Sequence, residues 1–354
     1  MPLVFGIEEE GFIINKTSLK NILFRSNDLR QALTETDIQN SSEVYDCQIE
    51  LKTSPHNSFE TLENEIISNR KNIRKLLNDF NCDIYFSGSL PDFDFKDSWR
   101  TPKDYYLGIF LAFGLYSNCF QYLSTQFHVS NERCKDYKRI FNILNAFDPI
   151  FLNLSASSPF SASRDTHHFS SRFIEYRSVP VMLDVISSEI DQKNGDTLYS
   201  FYGTHRITPY GSLEMRVCDS LHRVDDLMAL LALYASLFET LLDHSPNNLS
   251  FYTRDNRYMH HNTWYAAVQT TKEFHFKSDK NNRLFSLNDI LEELVDFIKP
   301  TAKKIGAAKY IEHIFNIYER GNGAEHQCDI FKQTNSFYQL KNQIINETHD
   351  YLGK

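Results

Sequence analysis

The chain has 354 residues, 41% of them hydrophobic, with a formal net charge of −9. That is enough for a substantial core, and without any basic block it argues against a nucleic-acid surface and leaves small molecules as partners. Six cysteines without a C-x-x-C pair exclude a zinc ribbon or a disulfide framework; with no cationic-then-apolar N-terminal segment and no apolar run longer than Leu107 to Phe113, a soluble, cytoplasmic protein is expected.

Gly6 to Ile14 (GIEEEGFII) reads as a strand. Alternation places Glu8 and Glu10 on one face and Glu9 on the other. Such a pair of carboxylates suits either a solvated edge strand or a divalent cation, and Mg²⁺ is the ion that takes carboxylate oxygens together with phosphate. Asn15 to Ser42 reads as a polar connection with a short helix near Asn27 to Thr34. Tyr45 to Thr53 alternates again, with Gln48, Glu50 and Lys52 on the polar face, and stops at Pro55. Asn57-x-x-Glu60 resembles a capping box, and Leu62, Ile66, Ile73, Leu76, Leu77 and Phe80 follow at helical spacing. Tyr105 to Tyr122 is apolar enough for a buried helix.

Leu123 to Ser130 alternates so that Gln126, His128 and Ser130 share a polar face, His128 being either a hydrogen-bonded core histidine or a ligand. A helix over Arg133 to Leu154 should break at Pro149. Arg164 to His168, with Arg172 and Arg177, concentrates cationic groups in a loop whose plain alternative is solvated local ion pairs. Tyr202 to Asp219 holds a Pro-Tyr-Gly turn and a strand in which Glu214 and Arg216 share one face while Leu213, Met215 and Val217 share the other. Val224 to Asp243 is a Leu-rich helix, Leu287 to Ile298 and Ala302 to Ile317 read as helices, Gly321 to Gln327 as a glycine turn, and the tail as helical. No repeat or linker divides the chain, so a single domain over residues 1–354 is expected.

In order, GIEEEGFII, IELKTSP (Ile49 to Pro55), TQFHVS (Thr125 to Ser130), LSASSPF followed by RDT (Arg164 to Thr166), YGSLEMRVCD (Tyr210 to Asp219), NTWYAA (Asn262 to Ala267) and GNGAEHQ (Gly321 to Gln327) resemble the glutamate-cysteine ligase type 2 family. The resemblance implies an α+β, glutamine synthetase-like catalytic fold whose central antiparallel sheet forms a funnel backed by helices. It implies ATP and Mg²⁺ as cofactors, amino acids as substrates, and a homodimer. The implied activity is an ATP-dependent carboxylate-amine ligase that forms an amide, of the γ-glutamyl kind, through an acyl phosphate. By position, Glu8, Glu10, Glu50, His128 and Glu214 inherit the metal-holding role, Gln126, His128 and Arg216 the nucleotide side, Arg216 and Arg164 the catalytic role, and Arg172 and Arg206 the substrate. Phosphoryl transfer needs positioning and charge neutralisation, which suits metals and guanidinium forks.

Thr263, Tyr265 and His326 stand where the family carries more basic residues, and Phe169 to Ser200, where substrate-covering loops are expected, matches poorly beyond Arg172. These departures motivate a competing reading, an idle Mg-ATP-binding protein with a regulatory or assembly role. Repulsion among clustered carboxylates predicts that Glu214→Gln holds or raises the stability of the metal-free protein.

Overall fold

A computed structural model of the chain describes residues 2–93, 96, 98–113, 119–177, 204–280 and 282–352. The first strand, β1 (Val4–Asn15), is the spine. β2 (Asn40–Ser42) pairs with β3 (Gln48–Lys52), and β3 pairs with β1. β4 (Cys82–Tyr85) pairs with the last four residues of β1, and β5 (Thr125–Ser130) with its first half. β6 (Phe160–Ser161) and β7 (Arg164–Asp165) form a separate small hairpin. β8 (His205–Ile207) and β9 (Leu213–Met215) complete the main sheet, whose order is β2-β3-β1-β5-β9-β8 with every pairing antiparallel. A further hairpin joins β10 (His275–Lys277) to β11 (Leu284–Ser286). The class is α+β with a central antiparallel sheet. β1 is its inner strand, so the solvated-edge alternative for GIEEEG is excluded.

One face of the sheet is apolar. Phe5, Ile7, Phe127, Val129, Leu213 and Met215 pack against the helices Phe59–Asn78, Tyr137–Leu144 and Val224–Asp243 in one core. Val224–Asp243 is buried nearly all round because the helices Leu287–Lys304, Ala308–Ile311 and His313–Arg320 cover its far side. No helix among the described residues is long and apolar enough to cross a membrane.

Several local expectations are corrected. The helix at Phe59 is capped by Ser58 without a side-chain hydrogen bond, so Glu60 sits one position too early for a capping box. Pro149 does not break a helix but sits in the first turn of Asp148–Ser155, where its missing N–H leaves no partner unsatisfied. Asp104–Phe113 is helical, yet Leu107 and Leu111 are exposed rather than buried. The GNG run is not a free turn: Asn322 and Glu325 form a reciprocal capping box that starts the helix Gly323–Thr334. Within the poorly matching segment, Ser171–Arg177 is helical, and residues 178–203 lie outside the described residues.

The one acidic side chain that β1 sends backwards is neutralised there. Arg70 pairs with Glu9 through Nε and Nη2, both side chains being almost fully buried, and donates to the carbonyls of Leu221 (2.8 Å) and His222 (2.6 Å). Arg70→Leu would strand a carboxylate in the core, and a loss of about 3–5 kcal/mol in denaturant unfolding is expected.

Candidate active site

The polar part of the sheet carries Glu8 and Glu10 of β1 with even-numbered residues of β3, β5, β8 and β9, and the register sets them in rows; further along β1 the same face turns apolar at Phe12 and Ile14. Ser41, Glu50 and Glu10 lie abreast; Lys52, Glu8 and Gln126 form the next row; His128, Glu214 and Arg206 the third. All five residues assigned to metal therefore face the same side, which the sequence required but could not show. A cavity of about 260 Å³ opens there, lined on one side by Glu8, Glu10, Glu43, Glu50 and Lys52 and on the other by Arg172, Arg177, Arg206 and Arg216, with Ser124, Gln126 and Tyr176 between.

The acidic side is held by specific partners. Glu10 accepts from the backbone N–H of Ser124 (2.6 Å) and from Nε2 of Gln126 (2.8 Å). Glu50 accepts from Ser41 Oγ at 2.7 Å and meets Lys52 Nζ at 2.7 Å, while Lys52 also reaches Glu8 at 3.2 Å. Burial pushes the Glu8 pKa up, but His128 and Lys52 outweigh it and hold the carboxyl well below the usual range. Glu50 goes the other way, to about 7, because burial and then the charge on Glu8 prevail over Lys52. Glu43, half-buried beside them, is raised well above its ordinary value by burial and by the charges of Glu50 and Glu10.

On the other side, Glu214 is fully buried and clamped between Nε of Arg206 and Nη1 of Arg216, the latter also donating to Gln126 Oε1 at 2.7 Å. Burial lowers the Arg216 pKa, yet Glu214 and Glu10 more than reverse this and the net shift is upward. Arg172 donates to the carbonyls of Arg216 (2.7 Å) and Val217 (3.1 Å) and lies 3.7 Å from Asp219.

The donor set fits a divalent cation. Ligand atoms of Glu8, His128 and Glu214 all lie within 4.8 Å of one another, and Nε2 of His128 is buried without a hydrogen-bond partner, 3.7 Å from Glu8 Oε1. A buried imidazole nitrogen without a hydrogen-bond partner, close to two carboxylates, has the chemistry of a metal ligand.

Comparison with known proteins gives the family. The model of glutamate-cysteine ligase family 2 (GCS2) matches residues 4–196 and 193–348. The chain belongs to glutamate-cysteine ligase family 2. A protein of Roseiflexus castenholzii provisionally named glutamate–cysteine ligase 2 is 24% identical over 362 residues, covering 98% of this chain and 95% of its own. In fold, the chain resembles glutamate–cysteine ligase from Francisella tularensis, solved in complex with AMP (TM-score 0.70, 13% identity, 99% of this chain and 90% of that one). It also resembles a bifunctional glutathione synthetase from Pasteurella multocida (TM-score 0.67, 13% identity, 99% of this chain and 52% of that one). The reaction class that goes with the GCS2 family is a ligase forming carbon–nitrogen bonds.

Within the GCS2 chain, the small-residue motif serves as scaffold. Ser157 N–H (2.9 Å) and the hydroxyls of Ser158 (2.7 Å) and Ser170 (2.9 Å) converge on the buried carboxylate of Asp219, which in turn faces Arg172. A Cβ on Gly88 would come within 2.7 Å of that carboxylate, so only glycine admits the approach. GNGAEHQ packs onto the same turn: Ala324 N–H reaches the Ala156 carbonyl (2.8 Å), Gln327 the Ser157 carbonyl (2.9 Å), and Gly323 leaves room for Ser157.

Not every assigned residue comes to the cavity. His128 and Glu214 share the polar face with Glu8 but are not among the lining residues, and Arg164 lies exposed on β7, turned outward by the β6–β7 hairpin. Thr263 bonds back to the Met259 carbonyl within its own helix, Tyr265 packs on His261, and His326 binds Glu347, so these three departures leave the cavity untouched. Lys52, Glu43 and Arg177 went unassigned. Lys52 shares the polar alternation of Glu50 and could have been found that way; Glu43 lies in the connection before β3 and carried no periodic signal.

Two outcomes follow from these charges. The expectation that Glu214→Gln holds or raises stability is reversed, since both oxygens serve guanidinium groups rather than repelling other carboxylates. The ligand-free variant should lose about 1–3 kcal/mol in thermal unfolding, below the range for fully buried pairs because both arginines are partly solvated. Glu50 has a folded pKa above its unfolded value of about 4.3, so its stabilising contribution is present at low pH and is lost as pH rises through 7. Glu50→Gln should flatten that decline in melting temperature, whereas Mg²⁺ binding by the unaltered protein should strengthen as pH rises through 7, because a cation needs the ionised carboxylate.

Proposed function

We propose that the chain is an ATP-dependent ligase joining an amino-acid carboxylate, the γ-carboxyl of glutamate first among them, to an amine such as that of cysteine, as one catalytic domain. The observation that carries this reading is the division of a single cavity into a carboxylate wall on β1 and β3 and a guanidinium wall on β8, β9 and the helix Ser171–Arg177. A nucleotide triphosphate needs both: cations on the carboxylates to hold its oxygens, and arginines to neutralise charge that builds during transfer.

Glu8, Glu10, Glu50, His128 and Glu214 would hold Mg²⁺, which supplies charge neutralisation at the ATP phosphates. Gln126 fixes Arg216 and Glu10 at once, so it couples the two walls. Arg216 and Arg206 face the transferred phosphoryl group or the carboxylate being activated, with Arg172 presented beside them by Asp219. The substrate carboxylate oxygen attacks the γ-phosphorus and ADP leaves; the amine nitrogen then attacks the acyl phosphate carbonyl, and phosphate leaves as the amide forms.

The clamp of Arg206 and Arg216 on Glu214 favours a second reading, in which the site binds Mg-ATP without turnover. Incubating purified protein with Mg²⁺, ATP and a panel of amino-acid pairs, glutamate with cysteine included, separates the two. ADP release that requires both substrates, and that falls by at least about 100-fold in Arg216→Lys, supports the ligase. Calorimetric binding of Mg-ATP with no ADP release for any pair overturns it.

A further inference from the structure

Outside the cavity lining, three side chains from three distant segments converge. His222 stands in the turn leading to the helix Val224–Asp243, its backbone carbonyl fixed by Arg70; His326 lies on Gly323–Thr334, and Glu347 on the helix Phe337–Leu352. Nε2 of His326 lies 2.8 and 3.0 Å from the two oxygens of Glu347, and Nε2 of His222 lies 3.3 Å from Oε2. The two rings are nearly parallel, 12° apart, and the donor atoms of all three residues fall within 4.8 Å of one another.

We infer that His222, His326 and Glu347 form a second metal site, for Zn²⁺ or another first-row divalent ion, distinct from the Mg²⁺ positions of the cavity. Tetrahedral bonds of about 2.0–2.1 Å place neighbouring ligand atoms roughly 3.3–3.4 Å apart; the 3.3 Å between His222 and Glu347 already matches, the 2.8 Å between His326 and Glu347 has to widen, and the two imidazole nitrogens, within 4.8 Å, have to close around the ion. Two imidazoles and one carboxylate select zinc-like ions over Mg²⁺ or Ca²⁺, which prefer oxygen alone. His222 is buried. His326 and Glu347 are each about a quarter exposed, which gives an ion a path inward and leaves a fourth position for water.

Arg223 Nη2 donates to Glu347 Oε2 at 2.7 Å and comes within 3.5 Å of His326 Nε2, and Gln343 donates to Oε1 at 3.1 Å. Gln343 is the kind of neighbour that orients a metal-bound carboxylate, whereas Arg223 shares Oε2 with His222 and has to swing aside for an ion to enter. A filled site would pin both C-terminal helices to the turn before Val224–Asp243 without involving a cavity-lining residue.

The test uses the whole chain, stripped of metal by a chelator and kept in excess Mg²⁺ so that the cavity positions are saturated. Co²⁺ is titrated and the visible bands of tetrahedral cobalt are followed. One equivalent should bind, Glu8→Gln should bind alike, and His326→Ala should weaken binding by more than roughly 100-fold. Zn²⁺ should raise the melting temperature of the unaltered protein but not that of His326→Ala. Glu347→Gln, which keeps the shape of the side chain, guards against a folding artefact by giving the same loss. Absence of cobalt bands in the unaltered protein, or equal binding in His326→Ala, overturns the site.

Discussion

The structure depends on the two-residue period of β1. A strand that runs through the middle of a sheet must send alternate residues to opposite layers, and in this one Glu8 and Glu10 go to the cavity while Ile7 and Glu9 go to the core. A slip of one residue would bury two carboxylates among Leu, Phe and Met and turn Phe5 and Ile7 toward the site. The apolar partners on the back face therefore fix the register of the polar groups on the front. Glu9 tests this logic, because it is the acid on the wrong side, and it is tolerated only through the buried guanidinium of Arg70.

On the front, like charges are kept together by interleaving opposite ones. Lys52 bridges Glu8 and Glu50, and Arg206 and Arg216 enclose Glu214. Without such partners the carboxylates would take up protons instead, which is the state toward which Glu50 and Glu43 are already pushed. Arrival of cations and nucleotide would exchange these internal partners for external ones. Behind the basic wall, Asp219 ties the Ser157–Ser158 turn, Ser170 and Arg172 into one buried cluster, so the motifs that carry the resemblance divide into residues that face the cavity and residues that hold them there.

Much of this was legible in the sequence. Strand alternation in GIEEEG, IELK, TQFHVS and SLEMR assigned each metal-side residue to a face, and helical spacing marked Phe59–Asn78 and Val224–Asp243 nearly to their ends. Alternation does not say which faces coincide, and that needed the pairing of β1 with β3 and β5. It also does not report ion-pair partners: Glu214 looked like one more repelled carboxylate until Arg206 was found across from it on β8. Arg164 was assigned by motif alone, and a two-residue hairpin, too short to show a period, carries it to solvent. His222, His326 and Glu347 are far apart in the chain, so their meeting was invisible before the helices were packed.

The central claim is that one face of the sheet gathers carboxylates to hold divalent cations and a nucleotide triphosphate. A crystal grown with Mn²⁺ and a non-hydrolysable ATP analogue tests it most directly, with the manganese positions read from anomalous scattering. The account predicts manganese within coordination distance, about 2.0–2.2 Å, of oxygens from Glu8, Glu10 and Glu50, with Arg206 or Arg216 turned from Glu214 toward the phosphates. Nucleotide bound elsewhere on the chain, or bound in the cavity with no manganese on these carboxylates, would contradict it.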